Sequence, residues 1–128
     1  MSTTRVLIVE DDAALTRTIA ANLQARGIAA AQAGTVADAI TALRLGAPDV
    51  LLLDIDLPDG CGWDVARALR VADPAAAVIV ISGLPPNRRL IQELGCVGVL
   101  EKPFPIASLL RLVAEHLPVS AVLPKAVS

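Results

Sequence analysis

Four short runs in this chain are almost wholly apolar: "RVLIV" at 5–9, "VLLL" at 50–53, "AVIVI" at 77–81 and "VGVL" at 97–100. Each is followed by polar residues and then by a stretch with helical periodicity. Runs of this length are too short for a buried helix. They also lack the polar alternation of a strand with one wet face, so they read as strands covered on both sides. A fifth, weaker strand is "IAAAQA" at 28–33.

The intervening stretches read as helices. In "DAALTRTIAANLQARG", Leu15, Ile19 and Leu23 recur at helical spacing and Gly27 suits the C-terminal cap. Thr35 opens a second helix, with Asp38 placed as in a capping box, and Val36, Ile40 and Leu43 on one face; it ends near Gly46. Trp63, Ala66, Leu69 and Arg70 lie on a third, closed by Pro74. "NRRLIQELG" is a short fourth helix ending at Gly95, and "PIASLLRLVAEHL" a fifth, ended by Pro118. Apolar strands separated by helices imply a parallel sheet, and right-handed crossovers wind helices onto both faces. The expected fold is α/β: a doubly wound five-stranded parallel sheet with five helices, a three-layer sandwich. One domain spans 1–118, with 119–128 as a tail or linker stub.

The 128 residues, 55% of them hydrophobic, suffice for one core. Composition then excludes several roles. One Trp, one Phe and no Tyr leave no aromatic platform for stacking bases. Net charge is −2, and the strongest basic cluster is the pair Arg88-Arg89, a solvated helix face, so direct nucleic-acid binding by this domain is not expected. No apolar run approaches the ~18 residues of a membrane span. The N-terminal "MSTTRVLIVEDD" is too short in apolar residues for a signal peptide, which gives a cytoplasmic reading. Cys61 and Cys96 lack metal-type spacing and read as reduced thiols. His116 suits the end of a helix as a cation and takes no role.

In a sheet of this type, function gathers at the carboxyl ends of the strands, near the point where the strand order reverses. Glu10, Asp11 and Asp12 follow the first strand, Asp54 the third, Ser82 ends the fourth, and Glu101, Lys102 and Pro103 follow the fifth. If the first and third strands are neighbours, Glu10, Asp11 and Asp54 converge. Clustered carboxylates repel, and a hard divalent cation such as Mg²⁺, which takes oxygen ligands, relieves that repulsion. Each residue has a plainer reading. Asp12 suits a helix N-cap, Asp56 could shape the turn before Pro58-Asp59-Gly60, Ser82-Gly83 could be a turn, and Lys102 a surface lysine. Together they are polar groups at one end of several different elements, which chance rarely assembles.

The motifs "LIVEDD", "LLLDIDLPDGCG", "VISG" and "EKPF", in this order and on these elements, resemble those of bacterial response regulator receiver domains, with a flavodoxin-like fold. The resemblance covers nearly the whole chain and includes Pro58 and Gly62 after Asp54. It implies that Asp54 is the phosphoacceptor. Asp11, Asp54 and the main-chain carbonyl of Asp56 would ligate Mg²⁺, with Glu10 acting through water. Ser82 and Lys102 would bind the phosphoryl group, and Lys102-Pro103 would be a cis peptide. The implied donor is a sensor histidine kinase or a phosphotransfer protein. The implied chemistry is self-phosphorylation and autodephosphorylation, not turnover of an external substrate. A homodimer is compatible with this reading.

Two departures from the family pattern stand out. Val99 occupies the position usually held by an aromatic three residues before the lysine, and the stretch from Ser82 to Lys102, with Pro85-Pro86 inside it, is slightly short. Two other readings compete. "LLLDIDLP" also resembles the Asp-x-Asp motif of haloacid-dehalogenase-type phosphatases, although Pro58 stands where those carry Thr or Val. A phosphorylation-independent pseudo-receiver would share the fold, but would have no need for the clustered carboxylates.

Overall fold

The computed structural model describes residues 5–118. In chain order the elements are β1 (Val6–Val9), α1 (Ala13–Ala25), β2 (Ala30–Ala33), α2 (Val36–Leu45), β3 (Val50–Asp54), β4 (Asp56–Leu57), β5 (Gly60–Cys61), α3 (Gly62–Ala72), β6 (Ala77–Ser82), α4 (Arg88–Glu93), β7 (Gly98–Glu101) and α5 (Ile106–His116). The main sheet has five parallel strands in the order β2-β1-β3-β6-β7. The chain steps from β1 out to β2, returns across β1 to β3, and then proceeds in the other direction. The order therefore reverses between β1 and β3, where Val9 lies opposite Leu53.

Alternation along each strand decides which helices it holds. Val6, Ile8, Val50, Leu52, Ile79 and Ile81 pack with Ile19 and Leu23 of α1 and Leu109 and Val113 of α5. The neighbouring residues Leu7, Val9, Leu51, Leu53, Val78 and Val80 pack with Leu43 of α2 and Trp63, Val65 and Leu69 of α3. All these strand residues are buried. Each such Val, Leu or Ile is worth roughly 1.5–3 kcal/mol of burial, so the continuous apolar runs are what hold a two-sided sheet. α4 is the weakest layer element: it has one and a half turns and no fully buried residue.

The helix ends follow local chemistry. Asp12 caps α1, its carboxylate accepting from Ala14 N and Leu15 N at 3.0 and 3.1 Å. Gly27 closes that helix with φ 74°, a left-handed conformation that favours glycine. Asn87 caps α4 through Arg89 N and Leu90 N. Arg70 is half-buried on α3, the third helix on which the sequence places it. Its guanidinium donates to Leu94 O at 3.0 and 2.8 Å and to Pro74 O and Ala76 O, binding the end of α4 to α3 and the start of β6.

Two boundaries shift from expectation. The Pro58-Asp59-Gly60 turn lies within a two-residue antiparallel ribbon, β4 with β5. β7 begins at Gly98 and carries Glu101 into the ladder opposite Ser82. The expected tail at 119–128 lies outside the described residues.

Candidate functional site

The carboxyl ends of β1 and β3 bring the acids together as the topology requires. Among the described residues, Glu10, Asp11 and Asp54 each offer a carboxylate oxygen, and these oxygens lie within 4.8 Å of one another. Glu10 and Asp54 are buried, at 2% and 3% exposure, whereas Asp11 is exposed. Asp54 lies inside β3 rather than after it, paired with Ile81, so its backbone is held by the sheet. Its Oδ1 accepts from Asp56 N at 2.9 Å, and its Oδ2 accepts from Lys102 Nζ at 3.2 Å.

Lys102 also sits 2.6 Å from Glu10 Oε1. The contact is ionic without hydrogen-bond alignment, for Oε1 is a buried acceptor with no hydrogen-bond partner. Glu10 Oε2 accepts from Asp12 N at 3.2 Å. Burial first, and then the adjoining Asp54 carboxylate, push the Glu10 carboxyl up to about 7, against the opposing pull of Lys102. Burial alone would depress the Lys102 ammonium. The Glu10 and Asp54 carboxylates outweigh it, and the net shift is upward. One ammonium therefore serves two buried acids, and the carboxylate of Asp11 adds a third negative group beside them. Hard oxygen donors in excess of the available positive charge fit a hard divalent cation.

Asp56 is exposed, and its carboxylate is outside the cluster; its main chain is the part that adjoins Asp54. Ser82 is buried at the end of β6. Its hydroxyl donates to Leu84 O and accepts from Leu84 N at 3.2 Å, turning it towards its own loop. Lys102 N donates to Ser82 O at 2.8 Å, and the Lys102-Pro103 peptide is cis. Val99 is 36% exposed on β7.

Other residues shape the site without standing out in sequence. Thr16 is buried on the apolar face of α1, and its hydroxyl donates to Glu10 O and Asp12 O. A threonine in register with Ile19 and Leu23 was the available signal. Close backbone packing explains Gly62, the glycine that closes the second motif, "LLLDIDLPDGCG". A Cβ there would lie 2.6 Å from Asp54 O and from Ile55 Cα, both backbone atoms that cannot swing aside. Gly62→Ala should therefore lower stability by about 1–3 kcal/mol through overpacking. The urea midpoint measures it, and an unchanged midpoint would show that the loop has room to spare.

Three cavities surround the acids. One, of about 450 Å³, is lined by Asp11, Ile55, Asp56, Leu57, Pro58, Gly60 and Cys61. A second, of about 390 Å³, includes Glu10, Asp11, Thr16 and Arg17, and a third includes Asp12, Lys102 and Phe104. No helix among the described residues is long and apolar enough to cross a membrane.

Known proteins share both sequence and fold. The sequence profile of the family described as "Response regulator receiver domain" matches residues 6–114. The chain is 34% identical over 102 residues to the DNA-binding response regulator MtrA of Mycolicibacterium paratuberculosis, covering 78% of this chain and 45% of that protein. It is 37% identical over 103 residues to the transcriptional regulatory protein KdpE of Mycobacterium tuberculosis, covering 79% and 45%. The chain thus spans about half the length of these relatives. Among solved structures, a CheY-like receiver domain protein from Methanospirillum hungatei superposes with TM-score 0.82 at 25% identity, covering 89% of this chain and 93% of that one. The receiver domain of HemR from Leptospira biflexa does so with TM-score 0.77 at 28% identity, covering 88% and 91%. The phosphatase reading finds no support in these likenesses. With its strand order, its acids at the β1/β3 reversal and a family match across both, this chain belongs to the response regulator receiver domains of two-component signalling.

Proposed function

We propose that residues 1–118 form a phosphoacceptor domain in which Asp54 takes a phosphoryl group from a phosphohistidine on a sensor histidine kinase or phosphotransfer protein. The observation that carries this reading is the buried Asp54 carboxylate, held in a sheet strand beside Glu10, Asp11 and Lys102. An Asp54 oxygen attacks phosphorus in line, the phosphorus–nitrogen bond breaks, and the imidazole leaves with a proton. The product is an acyl phosphate, which water later cleaves to release inorganic phosphate. Lys102, 3.2 Å from Asp54 Oδ2, supplies positive charge to the phosphoryl oxygens. Ser82 gives up its bond to Leu84 O and donates its hydroxyl to a phosphoryl oxygen, which couples the site to the loop leading into α4. The domain modifies itself and turns over no other substrate. Its setting is the cytoplasm, where such kinases present their phosphohistidine.

Asp11, Asp54 and the Asp56 main-chain carbonyl would hold Mg²⁺, with Glu10 acting through water. When bound, the ion supplies positive charge against the clustered carboxylates and the phosphoryl oxygens. Because this cluster exists only in the folded chain, Mg²⁺ is expected to raise Tm. At about a hundredfold excess over Kd the gain is about 2.7 kcal/mol. Asp11→Asn is expected to weaken binding at least about tenfold. A Tm indifferent to Mg²⁺, or a gain that survives Asp11→Asn, would remove the cation from this site.

A further inference from the structure

Asp59 sits on the turn of the β4–β5 ribbon, away from the acid cluster, yet it makes a bidentate contact across the fold. Its Oδ1 accepts from Val36 N at 2.7 Å and its Oδ2 from Ala37 N at 3.1 Å, the first two amides of α2. Those bonds hold the Asp59 carboxyl below its usual range. Thr35 covers the next amide, Asp38 N, at 3.0 Å. The start of α2 is thus capped twice, once locally and once from 22–23 residues downstream in sequence.

The two caps differ in what else they hold. Thr35 is bonded within its own helix turn. Asp59 instead anchors the ribbon, in which Asp56 pairs with Cys61 and Leu57 with Gly60. The same segment donates Asp56 N to Asp54 Oδ1 and closes back through Gly62 N to Ile55 O at 3.1 Å. It also forms most of the wall of the cavity beside Asp11. The ribbon is exposed except at Leu57, so little apolar burial fixes it. The Asp59 bonds to α2 are its polar attachment on the side away from Asp54.

Resting on the functional reading above, we propose that Asp59 is a positioning residue for phosphoryl transfer. By clamping the ribbon to α2 it sets the main chain of Asp56 where a divalent cation and Asp54 need it. Asp59 touches neither the cation nor the phosphoryl group. Its contribution reaches the site through residues 56–58.

The test compares the two caps in the full chain. Mg²⁺ binding is measured by calorimetry and acetyl phosphate labelling by intact mass, for wild type, Asp59→Ala, Asp59→Asn and Thr35→Ala, with urea stability recorded for each. Asp59→Ala is expected to raise the Mg²⁺ Kd about tenfold, the scale of losing a residue that orients a ligand, and to slow labelling at subsaturating Mg²⁺ in proportion. Asp59→Asn, which keeps one acceptor, should recover part of that loss. Thr35→Ala should weaken the same helix while leaving the Mg²⁺ Kd within about twofold. If Asp59→Ala leaves Kd unchanged, or if Thr35→Ala raises it equally, Asp59 is only a helix cap and the inference is overturned. Absence of Mg²⁺ binding by the wild type overturns the functional reading itself, and this inference with it.

Discussion

In the absence of divalent cations, Glu10→Gln is expected to stabilise the folded protein by about 3 kcal/mol at pH 8 and to have little effect at pH 4. The sign follows from proton binding. The Glu10 carboxyl is raised from 4.5 to about 7 by burial and by Asp54. Between those values the folded chain holds a proton that the unfolded chain has released, so stability falls as pH rises. The contribution is fully present below about pH 4.5 and lost above about pH 7. Glutamine resembles the protonated acid in shape and charge, so it keeps at high pH what glutamate loses. Its carbonyl can still accept from Asp12 N. Saturating Mg²⁺ should reverse the ranking, because the ionised carboxylate then has a cation to face. Urea titrations at pH 4 and pH 8, with chelator and with Mg²⁺, read all four states. Equal midpoints for wild type and Glu10→Gln at pH 8 under chelation would mean that Lys102 alone satisfies both buried acids.

The layout of the site was legible in sequence because a parallel sheet has directional ends. "LIVEDD" and "LLLDIDLP" each place acids after a run that must be buried on both faces, and a crossover topology sends those ends to one side. Glu10, Asp11 and Asp54 meet for that reason alone. The Asp12 and Thr35 caps were legible because they bond within a few residues.

What sequence left hidden is tertiary or orientational. Asp59 reads as a turn residue, since nothing local says that its carboxylate crosses to α2. Arg70 can be placed on the third helix, but nothing local says that its long side chain carries the guanidinium to the carbonyl of Leu94. The hydroxyl of Ser82 could be placed at a strand end but not aimed, and here it engages Leu84. Glu101 follows the apolar run "VGVL" in sequence, yet it continues β7 opposite Ser82. It is exposed at an edge of the sheet, where water solvates it.

The central claim is that Asp54 is the nucleophile, and its expected effect is all or none. Acetyl phosphate with Mg²⁺ is a donor that needs no partner protein, so only this chain's residues decide the outcome. Asp54→Asn keeps the shape and the bond from Asp56 N, but an amide oxygen is a poor nucleophile and the product would not be an acyl phosphate. Asp56→Asn leaves the main-chain carbonyl in place and should change only the rate or lifetime of the product. Intact-mass spectrometry of the three proteins after incubation is the most direct measurement. The account predicts one added phosphoryl group on wild type and on Asp56→Asn, and none on Asp54→Asn. Labelling of Asp54→Asn to the wild-type extent would contradict it.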